Sequence, residues 1–310
     1  MAAIIDKLKE HFNNAPILKQ LIFINVGVFI AIHLVAVILM LFNVSSLQWL
    51  SFIEVPSVPM ILLYRPWTLF TYMFVHYDLW HLVFNMLWFY WFGSIFVKYF
   101  SPKHLSALYL LGGLSGAALY LLSYNIFPYF ADKQGMMCGA SASIMAIVLA
   151  TTLRVPDFKV NLLFIGSVSL KYIAAATVLI DLLSMTSPNA GGHFAHLGGA
   201  IMGVLFGIYH SKGKDILHPI IHAVDIVVSK LRAIGTPRIK FKTPKNNHDN
   251  RRKETPRHET PHQRPESDSE YLARKKREND EIDRILDKIK KSGYSALTTE
   301  EKQKLFDARK

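Results

Sequence analysis

Cys138-Gly139-Ala140-Ser141-Ala142-Ser143 opens an apolar run that ends at Leu153, and the other polar clusters of the apolar region are read by their relation to it. A serine flanked by small residues keeps its hydroxyl reachable, and the glycine before it lets backbone approach the same point. Alone, a serine in an apolar helix usually bonds the preceding turn or permits close helix packing. Two further clusters change that reading: His81 with Asn85, and His196 within Gly192-His193-Phe194-Ala195-His196-Leu197-Gly198-Gly199.

Half of the 310 residues are hydrophobic while the net charge is +12, so apolar and charged residues are segregated. Residues 1–211 hold 10 Lys and Arg against 7 Asp and Glu, and residues 212–310 hold 25 against 16. The pattern is a membrane domain followed by a basic extension. Six apolar runs are candidate spans: Leu21 to Phe42, Leu79 to Tyr99, Leu105 to Asn125, Gly139 to Leu153, Leu170 to Ser187 and His193 to His210. The expected fold is an all-α, polytopic bundle of six transmembrane helices over residues 1–211. No A-x-A-like site closes the first run, so it reads as a retained helix rather than a signal peptide. A single cysteine, Cys138, excludes an intramolecular disulfide and a multi-cysteine metal site.

Lysines 7, 9, 19, 98, 103, 159 and 171, Arg154 and the basic tail fall on one side of this topology, against Arg65 and Lys133 on the other. The asymmetry places both termini in the cytoplasm. The second, fourth and sixth runs then go from outside to inside, and each carries one polar cluster near its start. All three clusters face the outer half of the bilayer, where polar side chains are costly unless they converge on the bundle interior or a wet cavity. Gly199 and Gly203 form a small-xxx-small pair, which predicts close approach of the sixth run to the fourth and brings His196 to Ser141. Asn43 to Asp78, rich in aromatic residues, reads as a loop lying in the interfacial layer.

Beyond the sixth run, Asp215 to Ala233 has the spacing of an amphipathic helix on the cytoplasmic membrane face, with Pro219 delaying its start, and the whole juxtamembrane element covers 212–235. Residues 236–268, rich in Pro, Lys, Arg, His and Asn, are expected to be a disordered basic linker. Residues 269–310 read as a small helical hairpin, its last helix opened by the capping-box pattern Thr298-Thr299-Glu300-Glu301. Interleaved acidic residues after 266 argue against nucleic acid. The tail's expected partner is a cytoplasmic protein or anionic lipid.

Ser141 and His196 are the nucleophile and base that acyl transfer needs, and Asn85, His81 and the backbone N–H groups at Ser141 are candidate oxyanion donors. A zinc reading of His76, His81, His193 and His196 lacks an H-E-x-x-H pair and a carboxylate at ligand spacing, so no metal and no cofactor is expected. A transporter reading lacks internal repeats. Asp181, in the fifth run, has the chemistry to orient His196 as aspartate does in soluble serine hydrolases. Because that run goes from inside to outside, Asp181 is expected nearer the membrane middle than His196, and the favoured reading is a dyad with Asp181 neutral or hydrogen-bonded within the bundle.

Taken in order, Trp67, His76, His81-Leu82-Val83-Phe84-Asn85, Gly139-Ala140-Ser141 and Ala195-His196 followed by Gly199 and Gly203 resemble the rhomboid intramembrane serine proteases over roughly residues 60–210. The resemblance implies a six-helix core, a Ser141/His196 dyad, His81 and Asn85 at the oxyanion, Phe84 at the substrate gate, and cleavage of transmembrane protein substrates near the outer face. It suggests a bacterial plasma-membrane enzyme. Thr68 follows Trp67 where many members carry arginine, and Met145 stands where some carry a tyrosine stacked on the base. Relatives without the serine or histidine act as membrane chaperones or binding proteins, and that is the alternative reading.

Overall fold

The computed structural model describes residues 2–45, 49–162 and 166–235, with residues 275, 281–282, 284–285, 288–289 and 297–307 of the tail. Two units are compact in themselves, residues 1–228 and 229–310. In the first, α1 (Ala2–Asn14) precedes α2 (Ile17–Leu41), α3 (Leu79–Tyr99), α4 (Pro102–Ile126), α5 (Ser141–Arg154), α6 (Leu170–Leu183) and α7 (Ala190–Ser211), while α8 (His218–Gly235) begins in this unit and runs past its end. The protein is an integral membrane helical bundle. The helices α2, α3, α4 and α7 are long and apolar enough to cross a membrane.

The other two expected spans, α5 and α6, have 14 residues each, about 21 Å of helix against a hydrocarbon layer of roughly 30 Å. Burial removes the need for α5 to match that thickness, since Ala142 to Val148 and Ala150 to Thr152 are buried by their neighbours. Outward residues on the longer helices stay apolar: Leu34, Ile38 and Met40 on α2, and Trp80 and Phe84 on α3, are exposed. Such a surface is costly in water and ordinary in lipid.

Local signals set the helix starts. Asp78 caps α3, its carboxylate accepting from the His81 N–H at 2.9 Å, and Ser101 caps α4 ahead of Pro102, whose missing N–H is harmless at a first helical position. Tight contacts between α4, α5 and α7 come from small residues. A methyl group on Gly199 would run into the Ala142 carbonyl and one on Gly203 into the Ala146 carbonyl, so α7 lies directly on α5. On the other side of α5, a methyl on Gly116 of α4 would stand 2.5 Å from the Ala142 methyl.

The long connection from α2 to α3 is stapled to the bundle. Val55–Pro56 (β1) pairs antiparallel with Met136–Met137 (β2), just ahead of Ser141. Tyr72 Oη donates to the Gly113 carbonyl at 2.6 Å and Tyr109 Oη to the Met73 carbonyl at 2.9 Å, while Asn25 Nδ2, buried on α2, donates to Tyr109 Oη at 3.2 Å. Arg65, rather than the residue after Trp67, makes the arginine contact in this loop, donating to the Ser51 carbonyl at 3.0 Å and lying 4.1 Å over the Phe52 ring. Thr68 Oγ1 donates to the Arg65 carbonyl at 2.8 Å. A second hairpin, Lys159–Leu162 (β3) with Gly166–Ser169 (β4), leads into α6.

The helix after α7 begins at His218, with Pro219 in its first turn. Leu217 and Ile221 are buried in the core, and Lys103 Nζ lies 2.7 Å from Asp225 Oδ2. The expected linker 236–268 lies outside the described residues. In the second unit, α9 (Thr299–Asp307) opens with a reciprocal pair: Thr298 N–H donates to Glu301 Oε2 at 2.7 Å and Glu301 N–H to Thr298 Oγ1 at 3.2 Å. Lys288 and Lys304 pair with Glu301 and Glu281 at 2.9 and 2.6 Å.

Candidate active site

Ser141 is the first residue of α5, so its hydroxyl stands beside backbone N–H groups that have no partner within the helix, at the positive end of the helix dipole. Gly139 shapes the approach. Its φ of +120° belongs to the region that favours glycine, and a Cβ there would meet His81 Nε2 at 2.9 Å. The Gly139 N–H donates to the Tyr72 carbonyl at 2.9 Å, tying this turn to the first loop.

The Gly199 and Gly203 contacts set α7 close enough for His196 Nε2 to lie 2.7 Å from Ser141 Oγ. From α3, Asn85 Nδ2 donates to the His81 carbonyl at 2.8 Å, which keeps one amide N–H committed to its own helix. Asn85 and His81 line a cavity of about 580 Å³ together with Ser141, His196, Gln134 and Asn189. Phe84, 57% exposed, lines a second cavity of about 210 Å³ with Trp88, Ile144, Met145 and Thr177. Ser141 and His196 border both cavities.

Asp181 is hydrogen-bonded within the bundle, as expected, but it lies level with His196 rather than deeper. Its Oδ1 lies 2.7 Å from His196 Nδ1 and 2.8 Å from His193 Nδ1. The cause is two helix boundaries. The fifth apolar run was expected to reach Ser187, but α6 ends at Leu183, which brings Asp181 to within about 3 Å of the helix end along the axis. In turn α7 starts at Ala190 instead of His193, which sets His196 about 4.5 Å deeper. The two shifts bring the carboxylate level with the imidazoles.

Charge in the adjoining loop is muted. His76 is buried with its ring 4.9 Å from that of His81; burial, reinforced by the His81 charge, holds its imidazole down to about 4. Cys138, three residues before Ser141, is pushed up to about 12 by burial and then by the Glu54 carboxylate. Tyr77, hydrogen-bonded to Glu54 and Cys138, and Glu54 itself are also raised, chiefly by burial. A neutral thiol is a poor nucleophile, which leaves Ser141 as the hydroxyl with a base in reach.

Asp181, His193 and His196 are the described residues grouped closely enough to hold a metal ion. Their N···O separations of 2.7 and 2.8 Å are those of N–H···O bonds. Ligands sharing a tetrahedral zinc stand about 3.3 Å apart, given metal–ligand bonds near 2.0 Å.

A serine hydrogen-bonded to an imidazole at a helix start, between helices of a membrane bundle, is the arrangement against which the comparisons with known proteins are set. Residues 64–213 match the family model described as Rhomboid domain. The membrane domain belongs to the rhomboid family. RHOMBOID-like protein 12, mitochondrial, of Arabidopsis thaliana is 31% identical over 158 residues, 47% of each chain. Presenilin-associated rhomboid-like protein A, mitochondrial, of Danio rerio is 32% identical over 136 residues, 43% of this chain and 34% of the relative. Rhomboid protein 1, mitochondrial, of Saccharomyces cerevisiae is 30% identical over 151 residues, covering 46% and 41%. The chain thus spans less than half the length of these relatives. Rhomboid proteases act on transmembrane substrates within the bilayer, and this rhomboid is a member of a family of intramembrane proteases and pseudoproteases. Residues 266–307 match a second model, a family of unknown function, DUF6576.

Proposed function

We propose that this rhomboid is an active intramembrane serine endopeptidase that cleaves transmembrane protein substrates near the extracytoplasmic side. The observation that carries the reading is the 2.7 Å contact between Ser141 Oγ and His196 Nε2. His196 takes the hydroxyl proton as Ser141 attacks the scissile carbonyl, and later gives it to the leaving amine. Water then attacks the acyl-enzyme by the same exchange and restores Ser141. Backbone N–H groups at the start of α5, the Asn85 amide and His81 stabilise the developing oxyanion. Phe84, beside the apolar cavity, is the gate through which the substrate helix reaches Ser141.

The distribution of Lys and Arg supports a topology with both termini on the cytoplasmic side. The relatives named are mitochondrial proteins and give no support to a bacterial plasma membrane.

Labelling tests the reading. Purified protein treated with a fluorophosphonate should be modified at Ser141, with modification lost in Ser141→Ala and in His196→Ala. Asn85→Ala should slow cleavage of a model transmembrane substrate by up to about 10²- to 10³-fold, less where other donors compensate. Folded wild-type protein that neither labels at Ser141 nor cleaves would instead be a substrate-binding pseudoprotease.

A further inference from the structure

Behind the Ser141–His196 pair, one carboxylate oxygen serves two imidazoles. Asp181 is 3% exposed, and the partners of its Oδ1 are the Nδ1 atoms of His193 and His196. Its Oδ2 is buried and has no hydrogen-bond partner among the described residues. The three contacts Asp181 Oδ1–His196 Nδ1 and His196 Nε2–Ser141 Oγ, with His193 Nδ1 as the outer support, form a chain in which every link is 2.7 or 2.8 Å.

Proton counting assigns roles to that chain. An ionised carboxylate only accepts, so with Asp181 ionised both Nδ1 atoms carry hydrogen and both Nε2 atoms of the neutral rings are bare. For His196 this is the productive tautomer, with the Nε2 lone pair on the Ser141 hydroxyl. If Asp181 carried a proton on Oδ1 it could donate to His196 Nδ1, and Nε2–H would then point at Ser141 with no lone pair to receive its proton. An uncharged amide that presents N–H to a catalytic imidazole imposes that unproductive form.

We propose that Asp181 is a positioning residue of this rhomboid: it fixes His196 as the Nδ1–H tautomer and aims Nε2 at Ser141, while His193 holds the carboxylate from the other side. The role of the tautomer in turnover rests on the serine-protease reading above. The hydrogen-bond assignment does not. Met145, which lines the apolar cavity with His196, offers no ring to stack on the base, and the Asp181 hydrogen bond supplies the orientation instead.

The test has two arms. Protein labelled with ¹⁵N-histidine in detergent micelles at mildly alkaline pH reports the tautomer directly, with resonances assigned through His193→Gln and His196→Gln. His193 and His196 should both show protonated Nδ1 and bare Nε2, and Asp181→Asn should shift His196 to the Nε2–H form. In turnover of a model transmembrane substrate, Asp181→Asn should lower kcat by about 10²- to 10⁴-fold, with KM within about twofold and an unchanged melting temperature. His193→Gln, which retains an N–H donor, should lose far less. A protonated Nε2 on His196 in the wild type overturns the proposal, as does Asp181→Asn turning over within about threefold of wild type. Should Asp181→Asn fail to fold, the wild-type spectrum still decides. Wild-type protein with the expected tautomers but no labelling at Ser141 would sink the protease reading and leave the assignment to Asp181 standing.

Discussion

Replacing Gly199 with alanine tests whether the α5–α7 contact sets the geometry of the site. The added methyl would overlap the carbonyl of Ala142, the residue after Ser141. A backbone oxygen at a helix start cannot rotate aside, so the two helices must part by about 1.5 Å to restore an ordinary contact. Overpacking of this kind costs roughly 1–3 kcal/mol. The same displacement stretches the 2.7 Å Ser141–His196 contact past the length at which it is a good hydrogen bond, about 3.2 Å. A 1 Å misplacement can cost roughly 10²-fold in rate. A graded series controls for the glycine change itself. A methyl on Gly27 meets nothing within 4 Å, one on Gly207 meets the Leu153 side chain at 2.9 Å, and one on Gly203 meets the Ala146 carbonyl. Melting temperature in detergent and the fluorophosphonate labelling rate should both be unchanged in Gly27→Ala and slightly affected in Gly207→Ala. Gly203→Ala should lose stability, and Gly199→Ala should lose stability and most of the labelling rate. Gly199→Ala with wild-type stability and rate would refute the idea that this contact holds His196 on Ser141.

Two other outcomes follow from loop and topology. His76 is held down to about 4 when folded against about 6.5 unfolded. Between those values the unfolded chain binds a proton that the folded one does not, so stability falls as pH drops from about 6.5 to about 4, by about 3 kcal/mol. Melting curves of wild type and His76→Gln across that range should converge as pH falls, and parallel curves would remove His76 from the acid response. For topology, single-cysteine accessibility in a Cys138→Ala background should place Asn14 and His248 on one side of the membrane and Lys133 on the other; Lys133 and His248 on the same side would undo the proposed orientation.

The proximity of Ser141 and His196 was legible because spacing along a helix is local information: Gly199 and Gly203 lie on the face that carries His196, and small residues mark where another backbone comes close. The range of α3 was legible too, since the apolar run from Leu79 to Tyr99 is itself the helix. Asn25 was not. A lone asparagine in a long apolar run gives no hint of its partner Tyr109, 84 residues away, and that contact anchors α2 to α4, whose Tyr109 in turn holds the first loop at the Met73 carbonyl. The pairing of Val55–Pro56 with Met136–Met137 has too few residues to leave an alternating pattern. Asp181 was misplaced for a different reason. Ser184, Thr186 and Ser187 suit either a helix or a turn, and the α-helix gives way there to a 3-10 turn over Ser184–Thr186. Four residues of ambiguity at the end of α6 amount to about 6 Å of depth, the difference between a buried bystander and a hydrogen bond to His196.

Hydrolysis inside a membrane bundle requires a substrate chain to reach the Ser141 oxygen and water to reach the acyl carbon then bound to it, and the placement of Ser141 bears on both. The larger cavity brings Gln134, Asn189, Tyr120 and Tyr124 around the Ser141–His196 pair, polar groups that can hold water at 2–4 contacts each. The smaller one presents Phe84, Trp88, Ile144 and Met145 to the same two side chains. An ester formed on Ser141 by a substrate entering past Phe84 would therefore face the polar cavity on its other side, so water has a route to the acyl carbon while the acyl chain still fills the apolar side. His196 borders both spaces, which is the position a single base needs to take a proton from Ser141 in the first half of the reaction and from water in the second. A base that serves two spaces must not turn toward either. Its ring is fixed at Nδ1 by Asp181, from α6, a helix that contributes only Thr177 to the smaller cavity lining and nothing to the larger.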